Sequence, residues 1–361
     1  MNNINWWNTE FDQKEIDAIS YAISSRKIGM GSITKEFEDM VANLLNVPYV
    51  VATPSGSAAL YISLMVLGIG YGDEVIVPDR TFIATAHAVQ LTGAKVILVD
   101  CNERDTNIDI SKIEDKITSQ TKAIIPVHLN GRAVDMYKIN LIAKKYELFV
   151  LEDSCQAFFS KNSKNKYLGT LSDIGSFSLG LAKLITVGFG GFVVTSNKNY
   201  YDKLLKFRNH GRFDNEHINY DTLGFNFKVS DMIMSLGLTQ LKKYQQKIEH
   251  CKNIYKLYQA GLKKLDFIDL VAVNIKYEVP IYIEVVSKYR EAIIKYLKQN
   301  NININFLPPS LHLSKHLQQK DNDYKNSMMF YQESFILPCG PNQSITNIVY
   351  VINKINEFRY E

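Results

Sequence analysis

The chain has 361 residues carrying 41 Lys and Arg against 37 Asp and Glu, a formal charge of only +4 at pH 7. So small an excess, interspersed with acids, gives no basis for nucleic acid or an anionic membrane surface as a partner. The apolar runs are broken by Gly, Ser or charge before the ~18 residues a membrane span needs, and the length suits one large α/β domain with a smaller one attached.

Taken in order, the N-terminus MNNINWWNTEFDQKE has no basic leader followed by an apolar run, so no signal peptide is expected. Residues 32–46, SITKEFEDMVANLLN, place Phe37, Met40, Val41 and Leu44 at helical spacing, with Ser32 or Thr34 as cap. PYVVATPSGS is a short β-rich run ending in a Ser/Gly turn, and SAALYISLMVLGI then reads as a buried helix. DEVIVPD, AKVILVD, TKAIIPVH, LFVLEDS, DIGSFSLG and GGFVVTSN are short, β-branched and apolar on both faces. Strands of that kind alternating with helices predict a mainly parallel sheet covered on both sides. Residues 235–265 read as one long amphipathic helix with a basic, solvated face, followed by two or three strands around VPIYIEVV and the helix KYREAIIKYLKQN. The expected division is a large domain over 1–240 and a small α+β domain over 241–361. The four cysteines, 101, 155, 251 and 339, show no CxxC spacing and suit reduced thiols in a cytoplasm.

Three features share one chemistry. In PSGSAAL, Gly56 and Ser57 open a helix just after a strand, where free amides and the helix dipole favour a phosphate. A Ser-capped helix without a ligand is the commoner use of such a turn. In LFVLEDSCQA, Asp153 ends an apolar strand, and a buried carboxylate there calls for a cationic partner such as a protonated pyridine nitrogen. Capping of the following segment is its simpler reading. In SFSLGLAKLITVGFGG, Lys183 lies between a strand and a glycine-rich turn, a place where an amine can lose water and form an imine with an aldehyde. A snorkelling lysine explains Lys183 alone, but the ordered set fits pyridoxal 5′-phosphate (PLP) better than any single feature does.

The chain resembles the DegT/DnrJ/EryC1/StrS aminotransferases. The resemblance rests on GMGS at 29–32, PSGSAALYISL, GIGYGDEVIVP, TFIAT from Thr81, PVHLNGRAVDM, VLEDSCQA, SDIGSFSLGLAKLITVGFGG, GFNFKVSD, GLTQL, FLPPSLHL and LPCGPN. It implies the fold-type-I architecture of PLP-dependent transferases and a site carried over residue by residue. Lys183 would anchor the cofactor covalently and shuttle the proton, Asp153 would pair with the pyridine nitrogen, and Gln156 would reach the ring hydroxyl. Phe82 would stack on the ring, and Gly56, Ser57 and Ser178 would hold the phosphate, joined by Asn226 from a partner subunit of a homodimer. Glutamate is the implied amino donor and a keto-sugar nucleotide the implied acceptor.

Two positions depart from the family pattern. Phe189 stands in the glycine turn where an acidic residue is usual, and Lys228 stands where Arg is usual, a point charge in place of a bidentate fork. The segment before VPIYIEVV is also short, which keeps a smaller phosphorylated ketone open as acceptor. His312, in FLPPSLHL, is a candidate substrate contact beside Lys228. His128 suits a structural role, and Arg26, His210 and Arg212 are candidates for anion recognition, solvated surface being the simpler reading. No cluster has metal-ligand spacing. A sugar dehydratase on this fold would carry His at the lysine position, and a non-catalytic binding protein would have lost Lys183, Asp153 or the phosphate turn. A nicotinamide dehydrogenase is set aside because GFGG leads into a strand and no GxGxxG opens a helix.

Overall fold

The computed structural model describes residues 3–213, 216, 219, 220, 222–317 and 323–359. Its main sheet is built from β1 (Tyr49–Thr53), β2 (Glu74–Pro78), β3 (Lys95–Val99), β4 (Thr121–Ile124), β5 (Phe149–Asp153), β6 (Ile174–Ser178) and β7 (Gly191–Thr195). The spatial order is β1-β7-β6-β5-β4-β2-β3. Among the described residues only β7 runs against its neighbours in this sheet. Alternate residues of one strand therefore face different layers: Val75 and Val77 join one core cluster while Ile76 joins another. This is the mainly parallel sheet, buried on both faces, that the β-branched runs predict.

The helices are α1 (Gln13–Ser24), α2 (Ser32–Leu45), α3 (Gly56–Val66), α4 (Ala84–Leu91), α5 (Met136–Tyr146), α6 (Lys198–Arg208), α7 (Asp231–Leu241) and α8 (Tyr244–Leu262). Helices α3, α4 and α6 cover one face of the sheet, and α2, α5 and α7 supply residues to the clusters on the other. The small domain adds β8 (Asp269–Leu270), β9 (Ile283–Val286), α9 (Arg290–Gln299), α10 (Lys325–Glu333), β10 (Ser334–Leu337) and α11 (Ile345–Glu357), with its strands in the order β10-β9-β8.

Three expectations need correction. The long helix expected over 235–265 is two helices, broken at Lys242 and Lys243. Its basic face is not uniformly solvated. Lys243 is buried between Asp12 (2.9 Å) and Glu15 (3.0 Å), and Lys247 is buried 3.4 Å from Glu10. A chain segment more than two hundred residues away supplies these acids, so helix periodicity alone could not reveal them. Burial lowers the Lys247 pKa below its ordinary value, against the pull of Glu10. The cap of α2 is likewise neither Ser32 nor Thr34. Asp231 accepts from the backbone N–H groups of Gly31 (2.8 Å), Ile33 (3.1 Å) and Thr34 (2.9 Å), closing that helix from α7.

The domain division also differs at the N-terminus. Ile4 bridges to Ile302 and Trp7 to Cys339, and both side chains lie in the small-domain core. Helix α8 runs from one core to the other, with Cys251 in the large-domain cluster and Ile254 to Leu262 in the small. No helix among the described residues is long and apolar enough to cross a membrane.

Candidate active site

The C-terminal ends of the parallel strands open onto a cavity of about 560 Å³ between the two domains. The large domain contributes Gly56, Ser57, Phe82, Asp153, Gln156, Ser178 and Lys183 to its lining. These seven residues come from four separate segments of the sequence. The small-domain side supplies Tyr282, Asn305, Phe306 and Leu307, and Trp6 reaches in from the N-terminus.

At one end is the start of α3. The Ser55 hydroxyl accepts from Ala58 N (3.1 Å) and its carbonyl from Ala59 N (3.0 Å), which leaves the N–H groups of Gly56 and Ser57 for a ligand. A Cβ on Gly56 would lie 2.8 Å from Cβ of Ser178 and 2.9 Å from Sγ of Cys155. A Cβ on Gly191 would lie 2.7 Å from the Gly56 nitrogen. Glycine at both positions therefore lets β7 and the end of β6 close around the helix start. The Ser178 oxygen accepts from Gly180 N at 3.2 Å, so its own O–H remains able to donate. The result is an anion cradle of backbone amides and hydroxyls.

Across the cavity, Asp153 is buried at the end of β5 with both oxygens held. Oδ1 accepts from Cys155 N (3.1 Å) and Oδ2 from the Thr85 hydroxyl (2.8 Å). Gln156 accepts from the backbone N–H of Asn130 at 2.9 Å, which leaves its amide NH₂ as a donor. Lys183 is half-buried on the loop that joins β6 to β7, a loop closed by the Gly180–Gly188 bridge. Its Nζ lies 3.5 Å from the Tyr282 hydroxyl, which itself donates 2.8 Å to the Ala182 carbonyl. Burial and the adjacent Asp153 raise the Cys155 thiol pKa, which disfavours its thiolate.

The donor set fits PLP: an amide-and-hydroxyl cradle for a phosphate, an acid for a ring nitrogen, an amide donor for a ring hydroxyl, and a lysine. Phe82, 53% exposed, is the aromatic wall beside them.

Other sequence candidates lie elsewhere. His312 does not line the cavity: its Nδ1 is 2.8 Å from Asp79 Oδ2, its N–H donates 2.7 Å to Oδ1, and its ring stacks on Tyr324. Lys228 donates to Asn209 Oδ1 at 3.1 Å, and the exposed Asn226 bridges to Asn209, both outside the cavity of their own chain. Arg26, His210 and Arg212 also stand outside it. Phe189 lies at the cavity mouth, 81% exposed. His128 is enclosed, accepting from Val134 N (3.1 Å) and pairing with Glu152 (2.9 Å). Thr85, Trp6 and Tyr282 were not foreseen. Thr85 alone had a signal, since it lies one helical turn after Phe82 in the TFIAT run.

The model of the DegT/DnrJ/EryC1/StrS aminotransferase family matches residues 9–356. The chain belongs to that family. It is 32% identical over 348 residues to the GDP-perosamine synthase of Escherichia coli O157:H7, spanning 96% of this chain and 95% of that one. It is 36% identical over 229 residues to the 3-oxo-glucose-6-phosphate:glutamate aminotransferase of Bacillus subtilis, 63% of this chain and 51% of the other. The PLP form of Spr1654 from Streptococcus pneumoniae, a proposed sugar aminotransferase, superposes with a TM-score of 0.93 at 25% identity, covering 98% of each chain. The protein is thus an aminotransferase of the DegT/DnrJ/EryC1/StrS family, with the α/β architecture of its structural relatives.

Proposed function

We propose that this aminotransferase uses PLP to move an amino group from glutamate to a keto-sugar nucleotide, in the synthesis of a surface glycan or related sugar. The observation that carries the proposal is the placement of Lys183 and Asp153 around one cavity that ends in the Gly56–Ser57 cradle. The cofactor, when bound, supplies an aldehyde to receive the amino group and a ring that withdraws electrons from the reacting carbon. The protein does the rest. Gly56, Ser57 and Ser178 fix the phosphate end, and Asp153 keeps a proton on the ring nitrogen while Thr85 holds its carboxylate in place. Gln156 donates to the ring hydroxyl, and Phe82 covers the ring face. Lys183 Nζ carries the proton to and from the substrate carbon on one face, so a single base serves both half-reactions.

The working unit is a homodimer in the cytoplasm, in which the exposed Asn226 of one subunit reaches the other's phosphate site. His312 and Lys228 then act on the acceptor from the rim of the assembled site and not from the cavity wall. The name of the Bacillus subtilis relative keeps a smaller phosphorylated ketone as the second reading, with glutamate as donor in both. A non-catalytic role is disfavoured because the lysine, the aspartate and the cradle are all present.

A competition assay separates the acceptors. With glutamate as donor, a nucleotide-linked keto sugar should be aminated with a kcat/KM at least tenfold above that of a keto-sugar monophosphate. The opposite order would replace the nucleotide-sugar assignment with the phosphorylated ketone.

A further inference from the structure

One carboxylate of the small domain stands behind two walls of the cofactor cavity. Glu284, on β9, is fully buried and has both oxygens engaged by the large domain. Oε1 pairs with the Arg80 guanidinium, while Oε2 accepts from Arg132 (2.7 Å) and from the side-chain amide of Asn130 (2.8 Å). Burial alone would push the Glu284 carboxyl up, but Arg80 and Arg132 more than reverse this and hold it below its ordinary value. It is an ionised anchor.

Two of these partners, Asn130 and Arg80, lead into the cavity. Asn130 adopts a left-handed backbone (φ 54°), and its N–H donates to the Gln156 side-chain oxygen at 2.9 Å. That bond decides which way the Gln156 amide points, because an amide whose oxygen is held must present its NH₂ to the other side. Arg80 also donates to Ser334 at the start of β10 (3.1 Å). The next two residues, Thr81 and Phe82, line the cavity, and the Thr81 hydroxyl is 3.1 Å from that of Thr85, which holds Asp153. The turn carrying Asn130 is pinned twice more, by His128 N on the Asp153 carbonyl (3.0 Å) and by Leu129 N on Asn107 (3.1 Å). Both of those pins belong to the large domain; from the small one the Val279 carbonyl packs against Gly131 and Glu278 accepts from Ala133 N (3.0 Å), while Glu284 is the group that holds the Asn130 side chain.

We infer that Glu284 is a positioning residue, which transmits the seating of the small domain to Gln156 through Asn130 and to the Thr81–Phe82 wall through Arg80. The inference rests on reading the cavity as a PLP site. It gives a reason for burying an Arg–Glu–Arg cluster, which a well-packed apolar core could match in stability.

The clean test cuts one link and keeps the rest. Asn130→Gly removes the side chain that Glu284 holds yet tolerates the positive φ, and Glu284→Asp draws the carboxylate back while keeping its charge. Crystal structures of the cofactor-free proteins should show the Gln156 amide held by the nitrogen of residue 130 in wild type and released from it in Asn130→Gly. Titration with PLP should show binding weakened about five- to tenfold in each variant, the scale of one hydrogen bond. The double variant should lose less than the two single losses combined, because both substitutions cut the Gln156 branch and only Glu284→Asp also touches the Arg80 branch. An unmoved Gln156 with unchanged PLP affinity, or fully additive losses in the double variant, would overturn the inference. Should wild type bind no PLP, the cofactor reading falls, and the position of Gln156 in the cofactor-free crystals still decides whether Glu284 acts through Asn130.

Discussion

The Thr85 hydroxyl donates to Oδ2 of Asp153 at 2.8 Å, joining the first turn of α4 to the end of β5. Asp153 Oδ1 is meanwhile fixed by Cys155 N, so the carboxylate has one orientation. Thr85→Val keeps the shape and removes the donor. It should lower kcat by about tenfold, equivalent to one charge-assisted hydrogen bond, with little change in thermal stability. Steady-state kinetics beside a melting curve checks this. A variant that melts earlier but turns over normally would make Thr85 a packing residue only.

Asp231 closes α2 with three backbone bonds and a fourth from the Thr34 hydroxyl at 2.6 Å, from a fully enclosed position. Asp231→Ala leaves those donors unpaired. The expected loss is about 2 kcal/mol or more of unfolding free energy, read from the urea midpoint. Ser32→Ala should cost almost nothing, since its side chain is not the cap.

Glu284 predicts an acid limit. Its carboxyl sits below the ordinary value of 4.5 in the folded chain, so folding favours the ionised form. That contribution is fully present above pH 4.5 and is lost as pH falls through the lower folded-state value. Unfolding free energy should therefore fall on acidification below 4.5, and Glu284→Gln should flatten this part of the curve. An equally steep fall in the variant would assign acid sensitivity to other carboxylates.

The thiols should be inert. Burial pushes Cys101 and Cys251 up to about 12 and Cys339 higher still, and all three lie inside packed clusters. Alkylation of the native protein near neutral pH should modify at most Cys155, which lines the cavity, and denaturant should release all four. Rapid native modification of Cys251 would contradict the packing around α8.

What the sequence revealed and what it hid follow from range. The strand runs DEVIVPD to GGFVVTSN carry their burial in their own composition, so the sheet and the junction residues Asp153, Ser178 and Lys183 were legible. The helix opening at Gly56 and Ser57 was legible because a strand-to-helix turn is a local device. The burial of Lys243 and Lys247 was not, since the acids that neutralise them come from residues 10–15. Asp231 looks like the start of its own helix and in fact closes another. His312 sits in FLPPSLHL, whose Phe306, Leu307 and Pro308 line the cavity, yet Asp79, far away in sequence, holds its ring outside it. The break between α7 and α8 has no proline or glycine to announce it: Leu241-Lys242-Lys243-Tyr244 is an ordinary helical string, and the tertiary pairing of Lys243 lies at the break.

The central claim is that Lys183 anchors PLP in the cavity closed by Gly56 and Asp153. It is tested most directly by absorption spectra of wild type and Lys183→Ala with PLP, before and after adding glutamate. Wild type should show a Lys183-dependent band at about 410–430 nm, characteristic of a cofactor imine, that glutamate converts to the aminated cofactor. Lys183→Ala should show no such band. A wild-type band identical to that of the variant, or none in either protein, would contradict the assignment of Lys183 and with it the catalytic reading of the cavity.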